Sequence, residues 1–378
     1  MKIVIAIDSL KGSLTSMEAG GAIREGILHV LPDSEVIVKP LADGGEGTTQ
    51  ALVEGLGGEM VRVNVHGPLE TSVNAEYGLL SGSNTAIMEM AAAAGIILAG
   101  KEKRPLDATT YGVGEMIKDA VKRGCRNFII GIGGSATNDG GIGMLTALGY
   151  EFLDRQGNQA GISASALGEI CSVRADHVLP ELAECQFQIA CDVTNPLCGP
   201  EGATYIYGPQ KGVTEEMRGR LDAAMASFAR VTADFTGTDH KDSKGAGAAG
   251  GLGFAFLSYL HGDLQPGIEL VLNAVDMDSA MEGADLVFTG EGRLDGQTAM
   301  GKAPVGIAAL AKKHGARVVA LAGAVIKGAE TCNENGIDAF FPILRRIMTL
   351  DEAMEPEQAK ENMIRTTEQI MRLIAAFR

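Results

Sequence analysis

Residues 284–304 read ADLVFTGEGRLDGQTAMGKAP. Leu286-Val287-Phe288 is an uncharged run of the length and β-propensity of a buried strand. It runs into a turn-rich stretch, Thr289 to Gly296, and an apolar-rich helix begins after Lys302-Ala303-Pro304, with Pro304 suited to its first turn. Strand, glycine loop and helix in that order present backbone N–H groups and a helix N-terminus to an anion. Gly296 to Lys302 spells G-x-x-x-x-G-K, but Ala303 stands where a P-loop needs Ser or Thr to hold Mg²⁺. The stretch is therefore not a standard P-loop. It still gathers a lysine, Lys302, and two carboxylates, Glu291 and Asp295, that could hold a metal. The plain alternative is a tight βα connection with Lys302 facing solvent.

The same grammar recurs along the chain. Ile3 to Ile7 is an aliphatic strand of the kind buried on both faces of a parallel sheet, followed by Asp8-Ser9-Leu10-Lys11. Ligands of open α/β sheets bind at the carboxyl ends of strands, so Asp8, Ser9 and Lys11 sit where chemistry is expected. Thr15 and Glu18 fit a capping box opening a helix. A strand over 36–41 ends in Asp43-Gly44-Gly45-Glu46-Gly47, too glycine-rich for a mere connector, and a helix continues to Leu56. From Met60 the texture changes: Val61, Val63 and Val65 alternate with polar residues, Gly67-Pro68 turn the chain, and Val73, Ala75 and Tyr77 alternate again, which predicts an antiparallel hairpin. Met88-Glu89-Met90-Ala91 and the alanines after it look helical. A helix over 108–122 and a strand over 128–132 lead into a third polar glycine loop carrying Gly134, Ser135, Thr137, Asn138 and Asp139. A strand over 187–191 ends at Asp192, which suits a catalytic base, a metal ligand or an Asx turn. Gly245 to Gly250 matches G-x-G-x-x-G but follows no strand, so a dinucleotide fold, and with it a nicotinamide dehydrogenase, fails its context test. Past Pro356, Met363, Thr367, Ile370, Ile374 and Phe377 form one helical packing stripe.

Composition narrows the field. The 378 residues are 46% apolar and 21% charged, with 51 glycines, no tryptophan and 4% aromatics, which disfavours a base-stacking nucleic-acid binder. Lys plus Arg is 32 and Asp plus Glu 48, so 32 − 48 = −16, a field that attracts neither nucleic acid nor an anionic membrane. The six cysteines make no C-x-x-C pair and the six histidines no H-x-x-x-H pair, so neither a zinc site nor a disulfide framework is indicated. The apolar run before Asp8 is too short for a signal peptide, and 245–262 is too glycine-rich for a membrane helix. The expectation is a cytoplasmic protein, with a homo-oligomer left open.

Six stretches in order, IDSLKGSLTSMEA (7–19), KPLADGGEGT (39–48), GIGGSATNDGGIGML (131–145), CDVTNPLCG (191–199), GAGAAGGLG (245–253) and TGEGRLDGQTAMGKAP (289–304), resemble the bacterial glycerate kinase family of the type unrelated to P-loop kinases. Ile7 stands where that family typically has Pro, and Leu10 where it has Phe or Tyr. The resemblance implies ATP- and Mg²⁺-dependent phosphorylation of D-glycerate, at the 2-hydroxyl, with the glycerate 3-kinase or a non-catalytic sugar-acid- or nucleotide-binding regulator as alternatives. It implies an α/β chain with a Rossmann-like parallel-sheet domain built from both chain ends, residues 1–64 and 284–378, and an inserted swivelling β/β/α-like domain, residues 65–283, with 108–132 able to join the first sheet. Phosphoryl transfer needs charge neutralisation on the triphosphate and a carboxylate to take the hydroxyl proton. Asp192, Asp43 and Lys11 are the catalytic candidates. Asp8, Ser9, Gly44, Gly45, Glu46, Gly134, Ser135, Asn138, Asp139, Arg293 and Lys302 are the substrate and nucleotide candidates, with Lys11 and Arg293 meeting anionic groups of glycerate or ATP. Asp43, Asp192, Glu291 and Asp295 are the candidate Mg²⁺ ligands.

Overall fold

The computed structural model describes residues 1–69, 71–298 and 302–377. In chain order the strands are β1 (Lys2–Ile5), β2 (Glu35–Val38), β3 (Glu59–His66), β4 (Ser72–Leu80), β5 (Thr85–Glu89), β6 (Asn127–Gly131), β7 (Glu151–Leu153), β8 (Ser172–Arg174), β9 (Gln186–Ala190), β10 (Asp263–Gln265), β11 (Leu286–Leu294), β12 (Arg317–Val325) and β13 (Ala339–Pro342). The chain divides into two compact units. One comprises Met1–Asp43, Gln50–Gly57 and Ile268–Arg378; the other comprises Gly44–Thr49 and Gly58–Gly267.

The first unit holds a five-stranded sheet in the order β13-β12-β11-β1-β2, every neighbouring pair parallel. Numbered within the unit, that is the doubly wound order 2-1-3-4-5, whose switch point falls between β1 and β11. Ile3, Ile5 and Ile7 are fully buried against Phe288, Leu321 and Ile23, and each such side chain contributes about 1.5–3 kcal/mol by leaving water. The helix Ser16–Leu28 starts at the expected capping box: Thr15 Oγ1 accepts from Glu18 N, and Glu18 Oε2 accepts from Thr15 N. The terminal helix Pro356–Ala376 packs on it through Met363, Thr367 and Ile370, and Phe377, expected on the same stripe, is 85% exposed beyond the helix's last turn.

Glycine does something here that local reading does not reveal. The stretch read as a loop from Thr289 onward is strand: β11 keeps its parallel register with β12 as far as Leu294↔Val325. Glycines that elsewhere mark turns here allow close strand approach. At Gly290, φ is +148°, and a Cβ would lie 1.8 Å from the Leu321 carbonyl oxygen. Glu291 and Arg293 are thereby carried on a rigid element past the end of β1. Gly301, part of the P-loop-like spelling, lies outside the described residues.

The second unit holds a six-stranded sheet, β10-β9-β6-β5-β4-β3, parallel from β10 to β5 and antiparallel from β5 to β3. The expected hairpin is β3 and β4, with Val61 opposite Tyr77 and Val65 opposite Val73. β3 belongs to this sheet from Glu59 on, whereas the sequence reading kept residues up to 64 in the first domain. The helix Tyr111–Lys122 and β6 also lie here, since β6 pairs with β5 and β9, so 108–132 does not join the first sheet. Residues 268–283 count with the first unit: Ile268 fills the space above Gly306, and Lys39 Nζ donates to the Val275 carbonyl. Met88 and Glu89, read as helical, belong to β5, and Ala91–Ala94 is a single turn, because tertiary pairing with β4 and β6 overrides the local preference. Among the described residues no helix is long and apolar enough to cross a membrane.

Candidate active site

The switch point of the first sheet carries a cavity of about 410 Å³, within the size range of small-molecule sites. Asp8, Ser9 and Lys11 reach it from the end of β1, Asp43 from the segment after β2, and Glu291 and Arg293 from β11, with Lys302 beside them. Seven residues chosen from separate sequence motifs thus line one cavity.

Asp8 is 8% exposed. Burial pushes its carboxyl up to about 7; the nearby Asp43 and Glu291 carboxylates add to the rise, and the Ser9 N–H and Lys11 oppose it. Ser9 N donates to Asp8 Oδ1 at 2.7 Å, fixing the carboxyl plane. Glu291 is raised above its ordinary range, chiefly by burial, while the Thr298 hydroxyl at 2.6 Å and Lys302, 3.9 Å away, hold part of its charge in place. Asp8, Asp43 and Glu291 therefore share one partly desolvated space with the cations of Lys11, Arg293 and Lys302. A carboxyl whose proton affinity lies near neutrality is suited to general base or acid work.

Asp295 does something else. It is 7% exposed, and its Oδ1 accepts from Gln297 N and Thr298 N at 2.9 and 3.2 Å, an Asx turn that shapes the connection after β11. Burial raises its pKa, but those N–H groups, with Lys302 and Arg293, bring it below its ordinary value. Its oxygens hold the turn and the Arg293 guanidinium (3.2 Å), which argues against the metal role read from sequence.

Nothing in the sequence reading identified the cavity's apolar lining. Ile343, Leu344, Leu350, Ala353 and Met354 form it from the segment after β13. Its legible signal was Thr349-x-x-Glu352, a capping box that is formed in the structure and opens the short helix Leu350–Met354.

In the second unit the remaining candidates gather at the carboxyl ends of β5, β6 and β9. Gly44 has φ +86° and lies so close to Gly267 and Ala190 that a Cβ would sit 2.6 and 2.9 Å from them. The 44–49 segment is held there by Glu89, a residue not singled out from sequence, whose Oε1 accepts from Gly47 N and Thr49 N at 3.1 and 2.9 Å. Burial raises the Glu89 pKa, those N–H groups lower it, and Glu46 raises it further. Asp192 follows β9, is exposed, and accepts from Gly267 N at 2.9 Å through Oδ1.

The 133–141 loop is exposed only at Gly133 and Gly134. Asp139 is 0% exposed; Thr110 N and Oγ1 both donate to its Oδ2 at 2.8 Å, and Gly141 N to its Oδ1 at 3.1 Å. Burial raises its pKa against those donors. Asp139 is therefore an internal strut of the loop, not the ligand contact expected. Asn138, equally buried, donates to Thr204 Oγ1 at 3.0 Å. Ser135 Oγ and the Thr137 carbonyl accept from Lys211 Nζ at 2.6 and 2.7 Å. Lys211 is 2% exposed, and burial pulls its pKa down to about 7 while Asp139 supports its charge. No sequence signal marks Lys211; it lies over seventy residues from the loop it holds.

Fold and cavity define a doubly wound α/β enzyme whose site, lined by carboxylates and cations together, lies outside the P-loop class. Comparison with known proteins gives the particular family: the chain belongs to the glycerate kinase family, whose family model matches residues 3–375. It is similar to a glycerate kinase of Bacillus subtilis (strain 168), 45% identical over 371 residues, covering 98% of this chain and 97% of that one. It is similar also to the glycerate 2-kinase of Escherichia coli (strain K12), 43% identical over 376 residues, covering 99% and 98%. A crystal structure from Salmonella typhimurium LT2, provisionally described as glycerate kinase 2, superposes with a TM-score of 0.92 at 42% identity, covering 100% of this chain and 98% of that one. The chain is a kinase.

Proposed function

We propose that this enzyme transfers the γ-phosphoryl group of ATP to the 2-hydroxyl of D-glycerate, giving 2-phosphoglycerate and ADP, in the cytoplasm where ATP is supplied. The observation that carries the reading is the switch-point cavity, where a carboxyl of near-neutral proton affinity, Asp8, stands among three cations, in a chain similar over nearly its whole length to a glycerate 2-kinase. Asp8 takes the proton of the attacking hydroxyl as the oxygen–phosphorus bond forms and the bond to the ADP oxygen breaks. Lys11, Arg293 and Lys302 offset the charge on the transferring group, which is the larger part of such catalysis. Asp192, at the end of β9, is the second candidate base. The exposed Gly133–Gly134 edge is a candidate cradle for an anion.

Among the described residues no three His, Cys, Asp or Glu side chains converge as a metal cage. Mg²⁺ carried by a triphosphate needs only one or two carboxylates besides phosphate oxygens and water, and Asp43 and Glu291 fit that donor chemistry. When bound there, the ion would neutralise phosphate charge.

An ATP- and Mg²⁺-dependent assay on D-glycerate, coupled through enolase alone, tests the reading. Signal without added phosphoglycerate mutase is expected. Signal only with the mutase would reassign transfer to the 3-hydroxyl, and absence of ADP release would refute the kinase activity. Asp8→Asn is expected to lower kcat by about 10²–10⁴-fold, and near-normal turnover in that variant alongside a crippled Asp192→Asn would move the base role to Asp192.

A further inference from the structure

The cavity of the first unit has two unlike kinds of lining. One is charged, built by Asp8, Lys11 and β11. The other is apolar, and the local sequence builds it deliberately. The Thr349–Glu352 capping box fixes the start of the helix Leu350–Met354. Helical spacing then puts Leu350, Ala353 and Met354, at i, i+3 and i+4, on one side, and all three line the cavity. Leu350 is 72% exposed, Leu344 38% and Met354 36%. A cluster of exposed apolar side chains turned into a concave site marks a surface that a ligand covers.

We propose that this cavity is the nucleotide site, with the purine base lying against Leu344, Leu350, Ala353 and Met354 and the phosphates extending toward Lys11, Arg293 and Lys302. The inference rests on the kinase reading and divides its two reactants. D-Glycerate is a short acid with polar groups on every carbon, and nothing in it matches an apolar wall. A nucleotide carries a flat base and a polyanion, and the cavity offers both apolar and cationic side chains to receive them. The cavity's 410 Å³ is also a nucleotide-sized space and far more than a three-carbon acid fills.

The experiment compares Mg²⁺-ADP with Mg²⁺-pyrophosphate by calorimetry, since only the first carries a base. The wild-type enzyme should bind ADP at least about 10²-fold more tightly than pyrophosphate. Ala353→Trp, which fills the base space, should bring ADP to within about threefold of pyrophosphate and leave pyrophosphate binding unchanged. Leu350→Ser alters a side chain 72% exposed, so it does not threaten folding, and it should weaken ADP alone by about tenfold. Equal binding of ADP and pyrophosphate by the wild type would overturn the proposal. So would variants that raise KM for D-glycerate while leaving ADP binding intact. Failure of the kinase reading reads out separately: with no turnover of D-glycerate, a base-dependent ADP affinity abolished by Ala353→Trp would still support the base subsite.

Discussion

Replacing Asp8 by Asn should make the protein more stable and less active, and the gain should depend on pH in a defined sense. The folded state holds the Asp8 carboxyl up at about 7 against an ordinary 3.8. The folded protein therefore binds this proton more tightly than the unfolded chain. The neutral carboxyl's contribution is fully present below 3.8 and is lost as pH rises through about 7. That interval corresponds to a ceiling of about 4 kcal/mol lost between acid and mildly alkaline solution. Relaxation and water entry reduce it, and about 1–3 kcal/mol is the expected effect. Asn is isosteric, uncharged at every pH, and keeps an oxygen for the Ser9 N–H that now donates at 2.7 Å. Urea unfolding followed by far-UV circular dichroism is the assay, since the chain has no tryptophan. At pH 8 the variant's midpoint should lie above that of the wild type; at pH 4 the two should coincide. A constant separation at both pH values, or none at either, would refute the reasoning that burial and neighbouring carboxylates control this group. Stabilisation joined to loss of turnover is the usual trade at a site that holds unfavourable charge for catalysis.

Three further outcomes follow from the geometry. Lys211→Met removes the donor to Ser135 Oγ and the Thr137 carbonyl; amide exchange over 133–139 should speed by about tenfold or more with little change in melting temperature, because a buried charge is removed along with its bonds. Unchanged exchange would mean the loop stands without Lys211. Thr110→Val deletes the hydroxyl that donates to Asp139 Oδ2 and accepts from Met144 N, and a destabilisation of about 2–3 kcal/mol is expected from the under-bonded buried carboxylate; a loss under half a kcal/mol would show the backbone donors suffice. Gly290→Ala places a Cβ 1.8 Å from the Leu321 oxygen, so β11 and β12 must part and soluble expression should fall sharply; a crystal structure with an undisturbed ladder would contradict this.

Much of the fold was legible because it is written in local periodicity. The aliphatic run at Ile3–Ile7, the Thr15 capping box and the alternation that forms the β3–β4 hairpin each obey a rule that needs only neighbouring residues. Glycine misled where its role was nonlocal. Thr289 to Leu294 reads as loop because glycine favours turns, yet Gly290 lies within a strand because Leu321, over thirty residues away, needs the space. Polar residues misled in the same way. Asp139 and Asp295 look like ligand-binding carboxylates in sequence, and only burial and hydrogen bonding reveal Asp139 as a strut and Asp295 as a turn residue.

The sequence by itself determined which residues carry charge to strand ends, because a strand followed by a polar glycine loop is a local pattern. Which of those loops share one cavity was decided by the tertiary structure. The crossover order of the first sheet sets β1 beside β11 and so brings Asp8 to Glu291. The proton affinity of Asp8, the apolar wall at 343–354 and the grip of Lys211 on its loop all depend on burial among residues distant in the chain. Desolvation and nonlocal contact have no signature in a run of neighbouring residues.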